Sequence, residues 1–110
     1  IVLADRTADP QIAALDLIVE SEHGPDSSAF LVTDNWEIAQ SVQAAIPLFW
    51  KGLSPARASF SSTVLTGPHG GILLAETMAE AIDFINDFAP EHLEILGENP
   101  EQYLSRILNA

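Results

Sequence analysis

Four short strand-like runs, each followed by a helix-start signal, constrain this chain more than any other feature. Ile1-Val2-Leu3-Ala4 leads through Asp5-Arg6-Thr7-Ala8 to Asp9-Pro10. Phe30-Leu31-Val32-Thr33 leads to Asp34 with Glu37, Ile72-Leu73-Leu74-Ala75 to Thr77 with Glu80, and Leu93-Glu94-Ile95-Leu96 to Asn99-Pro100 with Gln102. A continuous apolar run of this length suits a strand buried on both faces. An Asp or Thr before the first turn caps orphan amides, a Glu three residues on completes a capping box, and proline is tolerated at the first helical position. Strands alternating with helices predict an α/β fold with a mostly parallel sheet, an incomplete Rossmann-like domain over residues 1–110 with no linker or repeat.

The first helix is expected from Pro10 to about Glu22, apolar nearly all round through Ile12, Ala13, Ala14, Leu15, Leu17, Ile18 and Val19 and so buried on more than one side. Gly24 is expected left-handed just past its end, with Pro25 stopping continuation. The second helix is expected over 35–46, capped by Asp34, until Pro47 disturbs the pattern near Phe49-Trp50. Ser54-Pro55 starts a third helix over 55–65, preferred to a strand through Ser61-Thr63-Val64-Leu65. A fourth helix runs over 78–88 with Met78, Ala81, Ile82 and Ile85 inward, and a last one carries Leu104, Ile107 and Leu108. Trp36 and Trp50 read as core or interface residues, and His69 as a surface-turn histidine.

With 16 acidic against 4 basic residues the net charge is −12, which repels nucleic acid and anionic membrane. There is no cysteine, so disulfides and thiolate metal sites are excluded; this fits a cytoplasmic location. No apolar run reaches the roughly 18 residues of a membrane span. The chain opens inside a strand-like segment without methionine and reads as a piece of a longer protein.

Chemistry concentrates in Glu20-Ser21-Glu22-His23-Gly24-Pro25-Asp26 and in Asn86-Asp87-Phe88-Ala89-Pro90-Glu91-His92-Leu93. Asp16, Glu20 and His23 share one helical face if the helix extends that far, and a carboxylate with an imidazole three residues on can reach one zinc ion. Two ligands do not fill a zinc shell, and spacing alone favours a solvated helix end, with His23 interacting with the helix C-terminal dipole. Glu91 and His92 are the residue types that move protons near neutral pH, or else an exposed loop. Functional groups in doubly wound sheets are expected at the carboxyl ends of the strands. No phosphate-cradling glycine loop is present, so a dinucleotide site is not expected in this chain.

The two clusters resemble histidinol dehydrogenases. Asp16-Leu17, then Glu20-Ser21-Glu22-His23-Gly24-Pro25-Asp26-Ser27, is similar to that family's "DLL-x-QAEHGPDS"; Asn86 to Leu93 is similar to "N-x-YAPEHL"; the opening Ile1 to Asp5 with Thr7-Ala8 is similar to "VLIIAD-x-TA". The resemblance spans the chain and implies oxidation of L-histidinol to L-histidine in two NAD-dependent steps of histidine biosynthesis, with one zinc per site in a homodimer. It implies metal ligation by His23 and by Glu20, where the family has glutamine, and acid–base roles for His92 and Glu91. The other zinc ligands would lie beyond the chain's end and the NAD contacts before its start, making this the second half of the family's first Rossmann-like domain. The isolated chain is then expected to be inactive and to associate through apolar surface. The alternatives are a non-catalytic interaction or scaffold domain, or a related dehydrogenase of another small hydroxy compound, to which the added charge of Glu20 lends weight.

Overall fold

The computed structural model describes residues 1–110 and contains a four-stranded, all-parallel sheet with helices on both faces. Strands β1 (Val2–Ala4), β2 (Ala29–Thr33), β3 (Gly70–Leu74) and β4 (Glu94–Leu96) stand in the order β3-β2-β1-β4. Val2 pairs with Leu31 on one side and Glu94 on the other, and Ala29 pairs with Gly70. The expected alternation of strands and helices is thus observed.

Residue alternation divides the core. Val2, Ala4 and Leu31 face helices α1 (Pro10–Ser21), α2 (Trp36–Trp50) and α3 (Pro55–Thr66). Ile1, Leu3 and Val32 face α4 (Met78–Phe88), with Tyr103 and Ile107 from the region of α5 (Glu101–Leu104) packed beside it. Central strands covered on both faces need apolar side chains at successive positions, hence the continuous runs.

The starts of α1 to α4 follow side-chain caps, with one shift in α2. Asp9 accepts from the Gln11 amide and Ser54 from the Arg57 amide. Thr77 Oγ1 accepts from the Glu80 amide at 3.1 Å while Glu80 Oε2 accepts from the Glu76 amide at 2.8 Å, so the capping box forms. In α2 the cap is Asn35, not Asp34: its Oδ1 accepts from the Ile38 amide at 2.9 Å. The same helix runs through Pro47 to Trp50, beyond the expected end at 46. Pro47 and Gln43 both lie on the exposed side, so the hydrogen bond that proline forfeits leaves a solvent-facing carbonyl. The segment 55–66 is helical, as preferred over a strand. The last helix is a single turn, Glu101–Leu104, without a side-chain cap from Asn99, so of the three apolar residues expected on it only Leu104 lies within it.

Three further expectations are corrected. α1 is buried along Ala13, Ala14, Leu17, Ile18 and Ser21 only; Ile12, Leu15 and Val19 remain 43–50% exposed on its other side. Gly24 is not left-handed, because the chain leaves α1 through Glu22 in a right-handed conformation. Trp36 is 60% exposed at the first residue of α2, so of its two readings, core or interface, the core one is excluded.

Candidate functional site

The polar clusters meet at the amino ends of the strands. In a parallel sheet each crossover helix starts near the carboxyl end of one strand and returns to the amino end of the next. The C-terminus of α1, carrying Glu20 and then His23, therefore arrives at the edge where Ser27-Ser28 leads into β2. The C-terminus of α4 arrives at the same edge, where Glu91-His92 leads into β4. This corrects the expectation of a site at the carboxyl ends. It also sets the local field: helix C-termini present partial negative charge, which favours cations and disfavours phosphate.

Backbone geometry brings the second cluster inward. Ala89 ends α4 in the left-handed region (φ 52, ψ 64), its amide donating to the Ile85 carbonyl at 2.8 Å. That conformation is costly for a residue with a Cβ and turns the chain sharply back toward the sheet. Pro90 is buried directly after it. Phe88 meets Phe30 of β2 edge-to-face, with ring centroids 5.7 Å apart, which anchors the turn from below. The Ile1 nitrogen donates to the His92 carbonyl at 2.8 Å, and the Glu94 amide to the Ile1 carbonyl at 2.9 Å. The backbone of His92 is thus tied to the start of β1 while its side chain stays exposed.

Glu20, His23, Glu91 and His92 line one open cleft of about 380 Å³, together with Ile1, Ser27, Ser28, Phe88 and Pro90. The His92 Nδ1 lies 3.8 Å from Glu20 Oε1, and its Nε2 lies 3.9 Å from Glu91 Oε1. His23 stands just past the end of α1, not within the helix, with Nδ1 3.5 Å from the Glu20 carbonyl oxygen. That approach is at the limit of a hydrogen bond and favours the tautomer that leaves Nε2 available to an electrophile. Beside the cleft, burial pushes the Glu94 carboxyl up, with the adjacent Asp16 and the charge of Glu20 adding to the effect.

The four residues singled out from sequence therefore converge. Glu22, also in the first motif, forms an ion pair with Arg57 of α3 at 3.7 Å. His69 is exposed in its turn, as expected. Sequence reasoning did not single out Ser28 and Phe88 as cleft-lining; their positions, before β2 and at the end of α4, are the available signal. A second polar cluster also went unnoticed, at the opposite end of the sheet. There the Asp5 carboxylate, only 6% exposed, accepts from the Thr7 amide (2.8 Å), the Thr7 hydroxyl (2.6 Å) and the Tyr103 hydroxyl (2.8 Å). Asp5-x-Thr7 is a turn-forming pattern that signals the first half of this clip.

Glu20 and His23 offer oxygen and imidazole nitrogen, a donor set suited to zinc. No group of three or more histidine or acidic side chains in the chain is disposed to hold an ion, so these two can form only part of a coordination shell.

A parallel sheet in the order 3-2-1-4, with helices on both faces and a carboxylate–imidazole cleft at one end of its strands, defines a Rossmann-like α/β domain. Comparison with known proteins makes this specific. The family model for histidinol dehydrogenase matches residues 1–110. The chain is 57% identical to a histidinol dehydrogenase homolog of Colwellia psychrerythraea and 46% identical to a histidinol dehydrogenase of Synechocystis, in each case over the whole chain and 25% of the relative. It is similar to the crystal structure of histidinol dehydrogenase from Elizabethkingia anophelis, with a TM-score of 0.89 and 35% identity over 99% of this chain and 24% of that one. The chain belongs to the histidinol dehydrogenase family, and it spans about a quarter of the length of the curated relatives it matches.

Proposed function

We propose that these residues form part of a zinc- and NAD-dependent histidinol dehydrogenase that oxidises L-histidinol to L-histidine in the cytoplasm, as the second half of its first Rossmann-like domain. The observation that carries this reading is the convergence of Glu20, His23, Glu91 and His92 on one cleft from two separate motifs. In such an enzyme zinc would polarise the substrate hydroxyl and NAD would accept the hydride. Glu20 and His23 would be two of the zinc ligands. His92 would take up the hydroxyl proton at Nε2, on the side facing Glu91. Glu91, fully open to solvent on its outer side, would activate the water that attacks the aldehyde-level intermediate. The NAD contacts and remaining ligands would come from outside this chain, and the uncovered face of α1 fits a homodimer or larger assembly.

The test is a zinc titration of the chain followed by histidine NMR, alongside an assay of NAD reduction. Zinc is expected to shift His23, with the response lost in His23→Ala. No NADH is expected from this chain with histidinol, zinc and NAD. Indifference to zinc would instead favour a scaffold or interaction domain, and turnover by this chain alone would overturn its proposed inactivity.

One observation favours a second reading. The relative at 57% identity carries the description histidinol dehydrogenase homolog, while the one at 46% is described as histidinol dehydrogenase itself. Together with Glu20 in place of the family glutamine, this fits a related dehydrogenase of another small hydroxy compound. Assaying the full-length protein against histidinol and other small hydroxy compounds separates the two.

A further inference from the structure

The last turn of α1 carries Glu20 and precedes His23, and nothing in the first motif explains what holds that turn in place. The buried interior beside it does. Ser21 and Ser61 are both fully buried, with hydroxyl oxygens 2.7 Å apart. Trp50 Nε1 donates to Ser61 Oγ at 2.8 Å, and Ser21 Oγ donates to the Ile18 carbonyl at 3.0 Å.

The polarity of this relay is fixed by its ends. An indole nitrogen can only donate and a carbonyl oxygen can only accept. Each serine has a single hydroxyl proton. With Ser21 committed to Ile18, the proton between the serines must come from Ser61, which is free to give it because it accepts from Trp50. With Ser21 donating to Ile18, the order is Trp50 to Ser61 to Ser21 to Ile18, and every buried side-chain polar atom is satisfied. The Ile18 carbonyl also accepts the Glu22 amide at 2.9 Å, the bond that closes the last turn of α1. A second contact reinforces the first: Arg57, one turn before Ser61 on α3, reaches Glu22 at 3.7 Å.

We infer that α3 is a brace for the candidate site, and that Ser61 is a positioning residue that holds the last turn of α1 through Ser21 and thereby sets where Glu20 and His23 point. For its functional half this rests on the proposed metal site. α3 supplies no side chain to the cleft, yet it meets the site-bearing turn at Ser21 in the core and at Glu22 on the surface. Ser61 carries no charge and touches no ligand; it acts through Ser21.

The test uses Ser61→Ala, Ser61→Thr and Trp50→Phe in this chain, with two readouts. Amide hydrogen exchange is followed by NMR under conditions where each variant is fully folded. In Ser61→Ala the Glu22 amide is expected to exchange at least about tenfold faster, while amides of α4 change little. Trp50→Phe removes only the donor at the far end and is expected to give a smaller effect in the same place. Ser61→Thr, which keeps the hydroxyl, is expected to restore protection. Zinc titration, read at the His23 ring, is expected to show several-fold weaker binding in Ser61→Ala than in the parent chain. A uniform rise in exchange, or an unchanged Glu22 amide, overturns the brace. Zinc binding by the parent chain that Ser61→Ala leaves unaltered overturns its positioning role. If the parent chain does not bind zinc, the metal-site reading fails, and the exchange result alone decides for or against the brace.

Discussion

Glu20 and His92 meet across the end of the sheet, with Oε1 of the one 3.8 Å from Nδ1 of the other. Glu20 hangs from α1, which packs on one face, and His92 follows α4, which packs on the other. A residue argued to hold a cation is thus beside a residue argued to move a proton, and Glu20 has a carboxylate where the family signature has an amide.

That substitution predicts the first outcome. Glu20→Gln keeps an oxygen donor but removes the negative charge facing a bound cation. Zinc affinity of the chain is expected to fall about tenfold, or ~1.4 kcal/mol, in isothermal titration. Affinity that is equal or higher in the variant would count against Glu20 as a ligand.

The Asp5 clip predicts a pH dependence of stability. Burial alone would raise the Asp5 carboxyl, but its bonds from Thr7 and Tyr103 outweigh this and hold it below the ordinary 3.8. A depressed carboxyl contributes stability that is present above its unfolded pKa and lost as pH falls through the folded one. Burial, with the bond to Asp5 and its charge, pushes the Tyr103 phenol up from 10 to about 12. That contribution is present below pH 10 and lost as pH rises from 10 toward about 12. Tyr103→Phe is expected to cost about 1 kcal/mol at pH 7 in urea unfolding. The difference should shrink below pH 3.8 and above pH 10.

A packing prediction concerns Gly70, at the start of β3, which lies against Val64 of α3. A Cβ at this position would lie 2.5 Å from the Val64 carbonyl oxygen and 2.8 Å from that of Ala29. Both are backbone atoms and neither can swing aside. Gly70→Ala is expected to destabilise by about 1–3 kcal/mol, read as a lower urea midpoint with an unchanged slope. A midpoint within error of the parent would refute the close approach.

Association follows from the uncovered side of α1. Ile12, Leu15 and Val19 recur at helical spacing and are about half exposed, and both outer strands lack a partner on one side within the chain. Light scattering at tens of micromolar is expected to give dimers or larger species, with Leu15→Lys combined with Val19→Lys shifting the mass toward monomer. A clean monomer of the parent chain would contradict this.

The β-α order was legible because the two central strands, β1 and β2, are buried almost throughout and the starts of α1 to α4 each carry a side-chain cap, two local signals that agree. Ser54-Pro55 correctly outweighed the β-branched residues that follow it. Signals one residue apart were less secure: Asp34 and Asn35 are both good caps, and only the direction of the chain entering α2 chooses between them. Pro47 looked like a stop because sequence does not tell which side of a helix faces water. The motifs named the candidate residues that share the cleft, but not the end of the sheet on which they gather. That depends on crossover helices returning to the amino edge, a property of topology and not of any motif. The Asp5–Tyr103 and Ser21–Ser61 contacts join residues far apart in the chain, so no local pattern reveals them as pairs.

The meeting of the two motifs at the sheet's end makes the cleft a seam between layers that are otherwise separated by the strands. Neither helical layer contains the cleft by itself. It comes into being only once both layers have docked on the same sheet, so any probe of the distance between Glu20 and His92 is also a gauge of whether the whole domain has finished assembling.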